Sequence, residues 1–311
     1  MLASSRVSAN RLILTLLVSW LLPLSAGVNR LSAAEQYKDP VCATDDTGAQ
    51  ICLGQPAKRI AALSPGATEL VWAAGAGDKV VAVVSYSDYP EAAKEVVSVG
   101  SHTRIDLERL IKLQPDLVIG WVTGNPPEQL EAIRDLGLPV FSIEPRTFEA
   151  VSHTIERLAT LAGTEDAGFA EAERFRQGIA QVSRQYQNAE PVPVFYQVWD
   201  QPLMTVNNEH LIGKVITLCG GVNVFGELER LVPRISVEAV IGANPEAILA
   251  GGMGEENRHW LTRWEEFPGI EATARSNLFF IPPSLVQRPT PRMLEGSRLF
   301  CEKLDTARVK R

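Results

Sequence analysis

One fourteen-residue pattern occurs twice in the chain, 130 residues apart. Residues 106–119 read Asp-Leu-Glu-Arg-Leu-Ile-Lys-Leu-Gln-Pro-Asp-Leu-Val-Ile, and residues 236–249 read Ser-Val-Glu-Ala-Val-Ile-Gly-Ala-Asn-Pro-Glu-Ala-Ile-Leu. Each copy opens on a residue suited to cap a helix, Asp106 or Ser236, and places a glutamate two positions later. A proline, an acid and an apolar run follow. The pattern predicts a short helix, a proline stop and a buried parallel strand. Two copies at this separation point to two similar α/β lobes. The early glutamates, Glu108 and Glu238, fall in the first helical turn, where the helix dipole favours an anion. They are either dipole partners on solvated faces or a matched pair with one shared task, and their equivalent positions lower the weight of the first.

The rest of the chain fits around these units. Residues 35–56 read as a small hairpin extension. Residues 57–147 alternate strand and helix: strands at 59–63, 80–84 and 139–143 flank the first repeat, with helices at 70–76 and 129–136. Such alternation implies a parallel sheet whose ligands lie at the C-terminal strand ends, here marked by Ser64, Tyr86 and Trp121. Residues 148–190 carry two helical stretches, 148–162 and 165–187. The second is about 35 Å long and poor in the Gly, Ser and Pro of a flexible linker, so it reads as a strut. Residues 191–311 return to alternation, with a strand at 192–198, helices at 211–219 and 260–267, a last strand at 278–281, a loop at 287–292 and a closing helix at 293–308. The expected fold is α/β, two parallel-sheet lobes with flanking helices joined by one long rigid helix.

Residues 1–34 read as a signal peptide. Arg6 and Arg11 precede an apolar stretch at 12–24, too short to span a bilayer comfortably, and Ser32-Ala33-Ala34 places small residues before a cleavage at Glu35. The expectation is a periplasmic protein that is not inserted in the membrane. Removing that leader takes away Arg6, Arg11 and Arg30 and no acids, so the net charge moves from −7 to −10. An acidic chain argues against nucleic acid or anionic lipid as partner and suits one that meets a basic surface. All four cysteines lie in the mature part, where export permits disulfides. Cys42 and Cys52 flank a hairpin turn signal, Asp45-Asp46-Thr47-Gly48, which leaves Cys219 with Cys301 and ties the chain's end to the second lobe.

Catalytic patterns are poor: there is no G-x-S-x-G elbow, no phosphate loop and no dinucleotide fingerprint, and the four histidines lack paired metal-ligand spacing. His153 reads as a surface residue. The stronger signal is a set of bulky, partly polar groups at strand ends: Tyr86, His102 and Trp121 from the first lobe; Trp199, Met204, Gln287 and Arg288 from the second. A cleft lined by them suits a large, flat, amide-rich ligand.

Several stretches carry a resemblance: Arg-Ile-Ala-Ala-Leu-Ser-Pro-Gly-Ala-Thr-Glu-Leu at 59–70, Ser-Tyr-Ser-Asp-Tyr-Pro at 85–90, Leu-Glu-Arg at 107–109, Gln-Pro-Asp-Leu-Val-Ile at 114–119 and Cys-Gly-Gly-Val-Asn-Val-Phe at 219–225. Over nearly all of 57–305 the chain resembles the cobalamin-binding branch of the class III periplasmic binding proteins, whose lobes are joined by one long helix. The motif at 85–90 is the one most specific to that branch. The resemblance implies that cobalamin is the transported ligand, with no catalytic cofactor, and that the partner is an ABC importer, a permease dimer with its ATPase subunits, met by a monomer. It further implies that Tyr86 is a pocket residue, that Cys219 and Cys301 form the family disulfide, and that Glu108 and Glu238 dock on permease arginines. The chain departs from the branch where His102, Met204 and Val232 stand in place of aromatic residues against the corrin, and where Gln287 replaces a pocket glutamate. The thinner aromatic cage keeps haem or an iron-siderophore as an alternative cargo, with an exported enzyme as a remote one. His102 is also a candidate axial ligand to a metal at the centre of the cargo.

Overall fold

A computed structural model describes residues 40–311 apart from Met253 and Asn257; the leader read over 1–34 and the first residues of the 35–56 extension lie outside the described residues. The described chain begins with the antiparallel hairpin β1 (Val41–Thr44) and β2 (Gln50–Leu53), in which Cys42 and Cys52 are direct cross-strand partners joined by a disulfide. Its turn is fastened to the body of the protein. The Asp45 carboxylate accepts the Ser142 N–H at 3.1 Å, and Asp46 pairs with Arg157 at 2.7 Å.

The first α/β region runs β3 (Ile60–Ala62), α1 (Pro65–Ala73), β4 (Val80–Ala82), the short hairpin β5 (Gly100–Ser101) and β6 (Arg104–Ile105), α2 (Leu107–Lys112), β7 (Leu117–Trp121), α3 (Pro127–Asp135) and β8 (Val140–Ile143). Next come α4 (Phe148–Ala162) and α5 (Glu165–Tyr186). The second region runs β9 (Val192–Gln197), α6 (Leu211–Leu218), β10 (Gly221–Asn223), α7 (Val237–Ala243), β11 (Ala247–Ala250), α8 (His259–Thr262), α9 (Glu271–Ala274), β12 (Leu278–Phe280), α10 (Pro283–Val286) and α11 (Met293–Val309). The stretch read as one helix over 260–267 is split, with a tighter 3-10 turn at Arg263–Glu266 following α8. Among the described residues no helix is long and apolar enough to cross a membrane.

Two parallel sheets result, ordered β4-β3-β7-β8 and β10-β9-β11-β12. Within each, the strands stand in the order second, first, third, fourth, so the same winding is used twice. The repeated unit supplies α2 and β7 in one sheet and α7 and β11 in the other. Its local chemistry is also repeated. The Asp106 carboxylate accepts the Arg109 N–H at 2.9 Å, and the Ser236 hydroxyl accepts the Ala239 N–H at 3.2 Å. Gln114 and Asn244, each directly before the proline, adopt left-handed φ values of 46° and 43° and reverse the chain. The following acids then enter their sheets, the Asp116 N–H donating to Arg59 O at 2.8 Å and the Glu246 N–H to Pro193 O at 2.9 Å.

Each sheet is buried on both faces, as parallel strands require. One apolar cluster is continuous from Ile60 and Phe141 through Ile155 and Phe175 to Tyr196 and Phe300; separate clusters around Leu110 and around Trp264 cover the opposite faces of the two sheets. The shared cluster passes through α4 and α5. Helix α5 has 22 residues, about 33 Å at the standard rise, and it packs on α1 and α4 before it and on α6 and α11 after it. Glycine inside a helix costs about 1 kcal/mol relative to alanine, and at Gly178 the reason is a close approach: a Cβ there would lie 2.3 Å from Leu294 of α11. The Cys219–Cys301 disulfide ties the end of α6 to the same helix.

His210 caps α6, its Nδ1 accepting the Ile212 N–H at 3.1 Å. Burial, reinforced by the Arg146 charge, pushes its pKa down from 6.5 to about 4. The imidazole is therefore neutral in both folded and unfolded chains well above pH 6.5. As pH falls towards 4 the unfolded chain takes up a proton that the folded chain refuses, and stability is lost across that window. The expected loss is about 3 kcal/mol at most. Thermal unfolding from pH 7.5 to 4 should show a steeper decline for the wild type than for His210→Asn, whose side chain keeps the cap. Parallel curves would contradict this role.

Candidate functional site

Ligands in doubly wound sheets bind beyond the C-terminal strand ends, where the strand order switches. Here those points are β3/β7 and β9/β11, and a cavity of about 590 Å³ lies beyond them. The first region contributes Ser64 after β3, the Tyr86 loop after β4, Trp121 at the end of β7 and His102 from the β5–β6 turn. The second contributes Trp199 after β9, Gly252 after β11, and Ser284, Gln287 and Arg288 around α10. Of the eight residues expected to contact ligand, seven line this cavity and Met204 does not. The 199–204 turn closes on itself, the Val198 N–H donating to Met204 O at 3.0 Å and the Met204 N–H to Trp199 O at 3.1 Å. Met204 also bridges to Arg234, so it serves the turn that presents Trp199.

Each wall has an aromatic surface. Trp121 contacts the His102 ring at 5.8 Å between centroids, and a Cβ at Gly124 would overlap the indole, so only glycine lets the loop lie beneath it. Opposite, Trp199 meets Trp260 edge to face at 5.8 Å, and its Nε1–H donates to Gln201 O at 3.1 Å. Tyr86 is 79% exposed with a left-handed φ of 66°, a conformation that a bulky residue holds only when its surroundings enforce it. Ser64 caps α1 by accepting the Ala67 N–H at 3.0 Å. The Gln287 amide donates to the Tyr196 hydroxyl at 3.3 Å, and burial raises that phenol's pKa to about 12.

The enforcing group is Arg288, which reaches from the second region into the first. Its guanidinium donates to Asp88 at 2.7 Å, to Glu69 at 2.9 Å and to the Tyr86 carbonyl at 3.2 Å. Glu69 lies in α1 with its side chain only 2% exposed; it also accepts the Thr290 hydroxyl at 2.7 Å and an Arg292 N–H at 3.5 Å. Burial works against the charge on Arg288, but the hydrogen bonds to Asp88 and Glu69 outweigh it and raise its pKa. Glu255 stands across the cavity, accepting the Ser284 hydroxyl at 2.7 Å. Among the described lining residues Arg288 is the one guanidinium or ammonium, and two carboxylates already hold it. No cluster of three or more His, Cys, Asp or Glu side chains suited to a metal occurs among the described residues.

Glu69, Asp88, Asn125, Glu255 and Trp260 are site residues that sequence reasoning missed. A carboxylate in the apolar run 67–76 was the available signal for Glu69, since a buried charge requires a partner. Asn125 is 3% exposed; it donates to Leu63 O at 2.9 Å and His102 O at 2.8 Å and accepts the Trp121 N–H at 2.7 Å, binding three parts of one wall together. Nothing in its sequence neighbourhood announces that.

Glu108 and Glu238 do not line the cavity. Each sits one residue inside the N-terminus of its helix and is exposed. They differ in local company. Glu108 pairs with Lys112 at 2.6 Å, whereas Glu238 has its carboxyl pKa lowered by its own backbone N–H, then by the Ser236 hydroxyl and the Arg263 charge.

A family profile described as periplasmic binding protein matches residues 60–285. The vitamin B12-binding protein of Vibrio cholerae is 35% identical over 252 residues, covering 81% of this chain and 91% of that one. The vitamin B12-binding protein of Yersinia pestis is 33% identical over 250 residues, covering 80% and 87%. The crystal structure of the V. cholerae periplasmic vitamin B12 binding protein superposes with a TM-score of 0.74 at 35% identity, covering 81% of this chain and 98% of that one. A periplasmic heme-binding protein from Roseiflexus sp. RS-1 has a TM-score of 0.72 at 24% identity, covering 80% and 98%, a likeness of fold alone.

Proposed function

Because this chain belongs to the periplasmic binding protein family, we propose that it captures cobalamin or a related corrinoid in the cleft and delivers it, in the periplasm, to the permease dimer of an ABC importer with its ATPase subunits. Binding and docking are the whole task, and the corrin itself is left chemically unchanged. The relatives named for vitamin B12 support the ligand class. The observation that carries the reading is the charge of the cavity. Its guanidinium is held by Glu69 and Asp88, and Glu255 adds a further carboxylate. Haem brings two propionates and many siderophores bring net negative charge; both call for free cations. A corrin rimmed with primary amides brings N–H donors instead, matched to Asp88, Glu255 and the Gln287 amide, while Trp121 and the Trp199–Trp260 pair supply flat apolar area.

Cobyrinic acid tests this directly, since it keeps the corrin ring and replaces the amides by carboxylates. Followed by quenching of tryptophan fluorescence, it should bind at least about a hundredfold more weakly than cobinamide, because like-charge contact costs several kcal/mol. Equal affinities would contradict the charge argument.

Outside the cleft, Glu108 and Glu238 are the proposed docking carboxylates, one on each repeated unit. A pair of equivalent acids on two similarly wound sheets suits a two-fold partner carrying arginines.

A further inference from the structure

The His102 side chain is set apart from the other histidines of the chain. His153 pairs with Glu149 at 2.9 Å, and His210 accepts a backbone N–H in its helix cap. His259 has a partner of its own. The His102 imidazole lines the cavity and touches the Trp121 ring, yet neither of its ring nitrogens makes a hydrogen bond or ion pair with the described residues. Its backbone is nevertheless firmly placed. The buried Asn125 amide donates to the His102 carbonyl, and the neighbouring Gly100 carbonyl accepts both the Ser85 N–H at 2.7 Å and the Ser85 hydroxyl at 2.9 Å. A fixed backbone, a ring leaning on an indole and two uncommitted nitrogens describe a donor awaiting an acceptor that arrives with the ligand.

Resting on the corrinoid reading above, we infer that His102 is an axial donor to the cobalt of corrinoids that carry exchangeable water, so that the cleft favours aquo and incomplete corrinoids over fully substituted ones. Among the described lining residues it is the one imidazole, and none is a thiol or thioether. The remaining donors are oxygens of Ser64, Tyr86, Asp88, Glu255 and Ser284 and the amide of Gln287, whereas imidazole is a favoured ligand of the later transition metals. The step is ligand exchange without redox change. One Co–O bond to water breaks, the water leaves with its electron pair, and the lone pair of an unprotonated His102 nitrogen forms a Co–N bond. Cyanocobalamin cannot take part while cyanide and its own benzimidazole fill both axial positions.

Diaquocobinamide and cyanocobalamin are the two probes, each titrated into the wild type and into His102→Phe, with thermal unfolding as the check that both proteins are folded. The variant keeps a ring against Trp121 and removes only the nitrogens. The expected result is a shift of the visible bands of diaquocobinamide on binding wild type, absent with His102→Phe, together with at least about tenfold weaker binding of that probe by the variant. Cyanocobalamin should show the same band positions with both proteins, since its axial positions are filled, whatever the exchanged ring does to its affinity. Unshifted bands with the wild type, or equal affinity of both proteins for diaquocobinamide, would overturn the ligation while leaving the corrinoid reading standing. If the wild type binds neither probe, both fall together.

Discussion

Replacing Glu69 by alanine should lower the free energy of unfolding by about 3–5 kcal/mol, the usual cost of breaking a buried ion pair from one side. The magnitude follows from what remains. Thr290, fully buried, loses the acceptor for its hydroxyl, and Arg288, with its side chain 17% exposed, keeps Asp88 as its one carboxylate partner. Because Glu69 and Arg288 act as a unit, Glu69→Ala and Arg288→Ala should be strongly non-additive, with the double variant costing little more than the worse single one. The same change should weaken ligand binding, since Arg288 also holds the Tyr86 carbonyl and so the left-handed turn that presents that ring. Denaturant titration of the four proteins of this cycle gives the answer. A Glu69→Ala cost below about 1 kcal/mol, the level of a surface pair, would contradict the buried latch.

Removing both exposed carboxylates should have the opposite profile. Glu108→Ala/Glu238→Ala should leave ligand affinity and stability unchanged and reduce permease-dependent uptake by about a hundredfold, with each single change costing about tenfold, within the range measured for close interfacial charge pairs. Glu238 should matter more. Its carboxylate is held charged by its own N–H and Ser236, and its helix carries Gly242 where α2 carries Lys112. Glu108 must first be released from Lys112. Uptake of labelled cyanocobalamin by cells or by vesicles holding the importer distinguishes the variants. Uptake unaffected by the double change would remove the docking role, and reduced ligand affinity would show that the carboxylates serve the cleft instead.

The repeated unit was legible because its information is local: a cap, a helix of two turns, a proline and an apolar run lie within fourteen residues, and the structure builds α2–β7 and α7–β11 from them. The hairpin disulfide was legible for the same reason, the turn at 45–48 placing Cys42 opposite Cys52. The long helix was visible from its composition. What escaped was long-range. Glu69 meets Arg288 across 219 residues, and only the oddity of an acid in an apolar run hinted at it. Asn125 joins Leu63, His102 and Trp121 through backbone groups, which any sequence could offer. Met204 was read as a ligand contact because it closes a loop at a strand end. In the structure both of its backbone groups pair with Val198 and Trp199, and it is not among the residues lining the cavity.

Whether the cleft holds one corrinoid is tested most directly by isothermal titration of the protein lacking residues 1–34 with cyanocobalamin, followed by haemin as competitor. The predicted result is saturable one-to-one binding that haemin does not displace. Haemin binding in the absence of any heat from cyanocobalamin would contradict it, and would mean that a cavity whose guanidinium is already neutralised nevertheless accepts an anionic tetrapyrrole.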